Sequence, residues 1–161
     1  MLRPQGSGLS REEARALPEP DRRRAALLET RAVMKKADAA YASFGCAASG
    51  ECCQLAVTKR QPWLWRPEWL LLTEHLGGVL PPPRDDGGCP FLDGSGARCS
   101  VYADRPFGCR TFFCSRMTGP REHPRDEVIA LSKRLERVAQ ALDEDAEGPK
   151  PLLAWYAAAS T

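Results

Sequence analysis

Apolar residues recur every three or four positions over three stretches of the chain, which is the repeat of an α-helix with one buried face. From Asp21 onward, Leu27, Thr30, Val33/Met34, Ala37, Ala40/Tyr41 and Phe44 share such a face, and Gly45 can end it. Cys46 follows at once, so this helix is expected to deliver that thiol to the core. A second helix is expected from Pro67 to about Leu76. Proline suits a first helical turn, Gly77-Gly78 supplies the stop, and Trp69, Leu70 and Leu72 face inward. A third, roughly Arg125 to Asp143, carries Val128, Leu131, Leu135, Val138 and Leu142 on one stripe. A short segment, Leu152 to Ala158, is expected to close over the core.

Residues 1–20 read as a mobile leader holding one helical turn. Ser10 followed by Glu13 is a capping-box signature, and Pro18 and Pro20 close the segment. The remainder, 21–161, reads as a single domain with a core at 44–114 and a C-terminal helical segment at 125–158. The fold class is therefore mainly α: helices flanking an irregular middle. That middle carries little periodicity. Pro81-Pro82-Pro83 and Asp85-Asp86-Gly87-Gly88 form a stiff loop, Asp93-Gly94-Ser95-Gly96 is a turn, and Ser100-Val101-Tyr102 suits a brief extended stretch. Nothing between Cys89 and Cys114 predicts a helix. With so few aliphatic residues the segment needs a staple.

Composition changes this picture in one respect. The chain has 161 residues, a net charge of +2 and 27% charged residues, all ordinary for a folded domain. Its seven cysteines, however, all lie between Cys46 and Cys114. The N-terminus has no apolar secretory core, and the longest apolar run, Leu152 to Ala159, is well short of the roughly 18 residues a membrane span requires. A soluble, cytoplasmic protein is expected, with no membrane partner. In a reducing compartment, clustered cysteines serve as metal ligands or redox thiols rather than as disulfides, and the odd count argues the same way. A pI of 8.2 is below the range typical of nucleic-acid-binding domains. Arg22-Arg23-Arg24 reads as a solvated helix face, and a protein partner stays open.

The cysteines form two groups: Cys46, Cys52 and Cys53, then Cys89, Cys99, Cys109 and Cys114. Thiolates bind zinc tetrahedrally or hold iron–sulfur clusters, and either requires about four ligands converging from loops. Gly45, Gly50 and Gly108 allow tight turns beside the thiols, and Pro106 holds Arg105 extended. Four thiolates on a divalent metal leave about two negative charges. Arg98, Arg105, Arg110 and Arg116 stand close enough in sequence to offset them, although surface ion pairs suit each one singly. No CxxC pair is present. His75 and His123 are distant from the cysteines in sequence, and a C-terminal capping role is the plainer reading of His75.

Taken in order, Cys89-Pro90-Phe91-Leu92, then Cys99-Ser100-Val101-Tyr102-Ala103-Asp104-Arg105-Pro106-Phe107-Gly108-Cys109-Arg110, then Cys114 resemble the YkgJ-type cysteine-cluster family, a CxxCxxCC domain described as zinc- or iron-chelating. The resemblance spans about 44–114. Aligning Cys52-Cys53 with the family's terminal pair puts Ser49 where the second cysteine belongs, so the family's eight cysteines are reduced to seven. The resemblance implies a bound zinc ion or iron–sulfur cluster, with all seven cysteines as candidate ligands. Seven cannot complete two all-cysteine four-ligand sites, so Ser49 marks either a lost ligand or an open metal position.

Three functions follow as expectations. The first is a metal-binding module organised by zinc or an iron–sulfur cluster. The second is an enzyme using that cluster; similarity of the cysteine region to flagellin lysine N-methylase makes a lysine N-methylase-like activity one extrapolation. The third is a thiol redox or metal-handling protein that uses Cys52-Cys53. No catalytic residue stands out. Glu51 reads as a turn carboxylate before a base or ligand; Trp63, Trp65 and Trp69 as core before pocket lining; Tyr102 as a donor to backbone before a cluster sulfur.

Overall fold

The sequence stripe on the third helix becomes the seam of a helical bundle in the computed structural model, which describes residues 9–46, 49–112, 116–143 and 145–161. Four elements come first in chain order: α1 (Arg11–Arg15), α2 (Glu19–Ala40), α3 (Leu55–Thr58) and α4 (Arg66–His75). They are followed by α5 (Phe107–Thr111), α6 (Arg125–Leu142) and α7 (Leu152–Ala159). Strands β1 (Trp63–Leu64) and β2 (Lys150–Pro151) pair antiparallel, Trp63 opposite Pro151 and Leu64 opposite Lys150. The fold is mainly helical, as the patterning predicts. Among the described residues no helix is long and apolar enough to cross a membrane.

α2 and α6 pack along each other through Val33, Met34, Ala37, Leu131 and Leu135, and Phe107 of α5 is seated in the same cluster. Each of these side chains larger than alanine contributes about 1.5–3 kcal/mol by leaving water. α4 joins this bundle to the cysteine-bearing chain. Its Leu70 packs beside Ala26, Val138 and Leu142, while Trp69 and Leu72 lie in a second core with Leu64, Phe91, Leu92, Val101 and Leu152. α7 closes that second core as expected: Trp155 stacks on Trp69 with ring centres 6.1 Å apart, and the Tyr156 hydroxyl donates to Pro81 O at 2.5 Å.

Local chemistry explains the boundaries. Ser10 and Glu13 complete the capping box of α1. Within the expected leader, α1 lies against α6, with Ala14 buried and Arg15 Nη2 donating to Gln140 O at 3.1 Å. α4 ends in a Schellman motif: Gly78 N–H donates to Thr73 O, Gly77 N–H donates to Glu74 O, and Gly77 has φ +63°.

Three expectations are corrected. α2 stops at Ala40, with Tyr41 as its cap and Phe44 beyond it in a turn, so the helix does not carry Cys46 into the core. Extended pairing falls at Leu92 and Cys99 rather than over Ser100–Tyr102; Val101 is core, and Tyr102–Asp104 is a 3-10 turn. A helix, α5, does form between Cys89 and Cys114, because tertiary hydrogen bonds hold both of its ends. Five residues carry too little periodicity to announce it and are too few to be stable alone.

Candidate metal centre

Cys52 and Cys53 are delivered by a turn that only glycine fits. Gly50 has φ +70°, and a Cβ there would lie 2.7 Å from Gly96 O, so the first cysteine group lies against the Asp93–Ala97 turn. A 3-10 turn over Glu51–Cys53 follows, and Cys53 O accepts the Cys89 N–H at 2.7 Å. That bond couples the two cysteine groups, which lie far apart in sequence.

Cys89 and Cys99 stand at the two ends of one small loop. Leu92 N–H closes the Cys89-Pro90-Phe91-Leu92 turn on Cys89 O, while Asp93 N–H donates to Arg98 O and Ser100 N–H to Phe91 O, each at 2.8 Å. Asp93 forms the expected turn, its Oδ1 accepting Ser95 N–H at 3.1 Å. Cys109 arrives from α5. Arg105 ahead of it is extended (φ −57°, ψ 145°), as a residue before proline should be, and a Cβ on Gly108 would come 3.2 Å from Pro62.

The thiols of Cys52, Cys53, Cys89, Cys99 and Cys109 are free, and each lies within electrostatic reach of at least three of the others. Within them, Cys52, Cys89, Cys99 and Cys109 form a complete set in which each thiol bears on the other three. Cys53 Sγ lies 3.9 Å from Cys52 Sγ and also bears on Cys89 and Cys109. Burial pushes Cys89 up to about 11, and raises Cys99 and, strongly, Cys109; neighbouring thiolates add to each rise. Cys52 goes the other way, to about 6, because the Cys53 thiol donates to its sulfur. The same bond and burial push Cys53 up. The group of thiols thus carries one thiolate readily and resists a second unless a cation binds. Among the described residues, no three His, Cys, Asp or Glu side chains are drawn close enough to hold a metal ion as they stand.

The other candidates are placed as follows. Cys46 is exposed, beside a bridge in which Gly45 and Thr118 exchange backbone hydrogen bonds. Cys114 lies outside the described residues. Ser49 is exposed. Glu51 pairs with Arg116 at 2.7 Å. His75 pairs with Asp104 at 2.7 Å instead of capping α4, and His123 lies beside Tyr41 and Phe44. Tyr102 is exposed beneath the Arg105 guanidinium, 4.0 Å from its ring centre, so its part is stacking. Trp69 is core, Trp63 is exposed, and Trp65 lines a cleft of about 320 Å³ with Trp155, Asp145 and Lys150. None of the described cysteines lines that cleft.

Arginines do surround the thiols. Arg105 bears on Cys99, and Arg84, which the sequence did not single out, bears on Cys89. Arg84 forks onto Asp86 and donates to Asp93 O at 2.7 Å, tying the proline loop to the far side of the Cys89 turn. Two more unexpected residues stand behind Cys109. Glu68 is 2% exposed and accepts Trp65 N–H and Phe107 N–H, each at 2.8 Å. Asp38 pairs with both Arg105 and Arg110. The third position of a helix is where a carboxylate reaches back to the cap, so Glu68 had a sequence signal; Asp38 and Arg84 had none.

A helical bundle carrying a lobe of convergent thiols, ringed by arginines, defines a small cysteine-cluster protein. The chain belongs to the CxxCxxCC family, whose model, described as a "Putative zinc- or iron-chelating domain", matches residues 45–132. No curated protein and no solved structure matches it.

Proposed function

We propose that the protein binds one metal centre, zinc or iron, through the thiolates of Cys52, Cys89, Cys99 and Cys109. What carries the reading is that these four thiols, from separate turns of the chain, lie within electrostatic reach of one another. The donor set fits: four sulfurs satisfy zinc or an iron–sulfur cluster, and both leave a negative charge that Arg84, Arg105 and Arg110 oppose. Protonated thiols do not attract one another, so final closure to ligand distance requires the loss of their protons. Burial opposes that loss, and a bound cation reverses the balance. When bound, the metal supplies cross-linking of the loops and, if iron, electron transfer. Cys53 stays beside the centre as a proton donor to the Cys52 sulfur.

Anaerobic purification followed by a visible spectrum and by zinc, iron and acid-labile sulfide analysis tests this reading. One centre per chain is expected, lost on Cys89→Ser, Cys99→Ser or Cys109→Ser. A folded, metal-free protein would overturn the reading, as would full metal content in all of those variants. A colourless zinc protein and a brown protein with iron and sulfide decide the metal. Ser49→Cys, with metal counted again, shows whether position 49 has lost a ligand.

The Cys52–Cys53 geometry favours a second reading, metal handling. An exposed thiolate beside a half-buried thiol is suited to taking a metal from, or passing it to, an external thiol carrier.

A further inference from the structure

Cys109 sits on a five-residue helix that could not stand by itself, yet both flanks of that helix end on buried charges. On one side, Glu68 uses Oε1 to accept the Phe107 N–H and Oε2 to accept the Trp65 N–H, so one carboxylate binds the start of α5 to the start of α4. On the other, Arg110, 4% exposed, donates Nε to Arg105 O at 2.8 Å, Nη2 to Ala103 O and Nη1 to Asp38 of α2. Cys109 is half-buried on α5, whose Phe107 and Arg110 are buried. Its sulfur feels the Glu68 charge, and Arg110 in turn feels Cys109.

We infer that Glu68 and Arg110 are positioning residues for the metal centre, holding α5 so that Cys109 faces Cys52, Cys89 and Cys99 before metal arrives. The inference rests on the four-thiolate reading above. Buried charges are costly to keep, and apolar side chains of similar volume would fill a bundle core at no such cost. What this pair provides is geometry. A guanidinium fork and a two-oxygen carboxylate fix the orientation of the chain they grip, as outer partners do around metal ligands. Lysine cannot reproduce the three-way grip of Arg110. Glutamine can accept only one of the two N–H groups that Glu68 serves.

Cobalt(II) titration of the reduced full chain at neutral pH is the test, with a chelator competition giving affinity. The wild type is expected to show a four-thiolate sulfur-to-cobalt charge-transfer band. Arg110→Lys and Glu68→Gln are expected to weaken cobalt binding by about 10–100-fold. Each should also lower the charge-transfer intensity per bound cobalt by about a quarter as Cys109 drops out of the set, which a general loss of stability would not do. Arg84→Lys, a perturbation of the opposite loop, is the comparison: adding Cys109→Ser should lower its band by about a quarter, whereas adding Cys109→Ser to Arg110→Lys should lower that variant's band no further. If a variant is too poorly folded to titrate, Asp38→Asn, which removes the carboxylate charge that Arg110 shares with Arg105, is read in its place and should show a smaller loss in the same direction. Wild-type affinity and band intensity in Arg110→Lys and Glu68→Gln would overturn this inference and leave the four-thiolate reading standing. A wild type that takes no cobalt would overturn both.

Discussion

Glu68 is a carboxylate with almost no water around it, and desolvation pushes its pKa up to about 7 despite two N–H donors and the charge of Arg110. Because the folded value lies above the ordinary 4.5, the native protein keeps a proton that the unfolded chain releases. Stability from this group is complete below about pH 4.5 and is lost as pH rises through about 7, by roughly 3 kcal/mol. Urea melts of wild type and Glu68→Gln in reducing, chelating buffer should show the gap between them moving in the variant's favour from pH 5 to pH 8. A constant gap would remove the account. Cys52 yields a second expectation: in apo protein its alkylation should rise around pH 6, well below that of Cys89, as followed by mass spectrometry. At Gly50, left-handed backbone and a 2.7 Å approach to Gly96 O both exclude a side chain. Gly50→Ala should cost about 1–3 kcal/mol in thermal or urea melts.

At the scale of elements, the helices with a repeating apolar stripe were legible before any coordinates. α6 appears within a residue of its expected bounds because Leu131, Leu135, Val138 and Leu142 leave only one face to bury. Leu135, 1% exposed at the α2–α6 seam, is the position whose loss should be felt most; Leu135→Ala should cost about 2–5 kcal/mol in urea denaturation. Elements held by tertiary bonds were not legible. α5 owes its ends to Glu68 and Arg110, which come from another helix and from its own last turn. The end of α2 is a related case. The apolar pattern runs on to Phe44, but Tyr41, Phe44 and His123 make an aromatic group that takes the chain out of the helix.

For the whole molecule, α4 is the common wall of two cores that differ in what sustains them. The bundle of α2 and α6 has aliphatic seams of its own. The cysteine lobe has Leu55, Phe91, Leu92 and Val101 but otherwise consists of turns and the short helices α3 and α5. Metal removal should therefore act unevenly. Hydrogen exchange of chelated against metal-loaded protein should show protection lost over residues 50–58 and 84–109, with α6 little changed. Uniform loss would mean that the two cores unfold as one unit. The stabilisation gained should grow with free metal concentration, as binding to the native state alone requires.

Sequence alone determined the elements whose information is local or periodic. Three amphipathic stripes, a Ser10–Glu13 cap, the Gly77-Gly78 stop and the confinement of thiols to one window each follow from the order of neighbouring residues. The same order carried the CxxCxxCC family and the gap at Ser49. It did not contain which thiols meet, because Cys52 and Cys109 are brought together by a Cys53–Cys89 backbone bond, a glycine turn and a buried carboxylate, none of which has a sequence period. It also led Cys46 to be expected in the core, whereas that thiol is exposed. Spacing along a chain limits how far apart two ligands can be; only the packing of the segments between them decides whether they share a site.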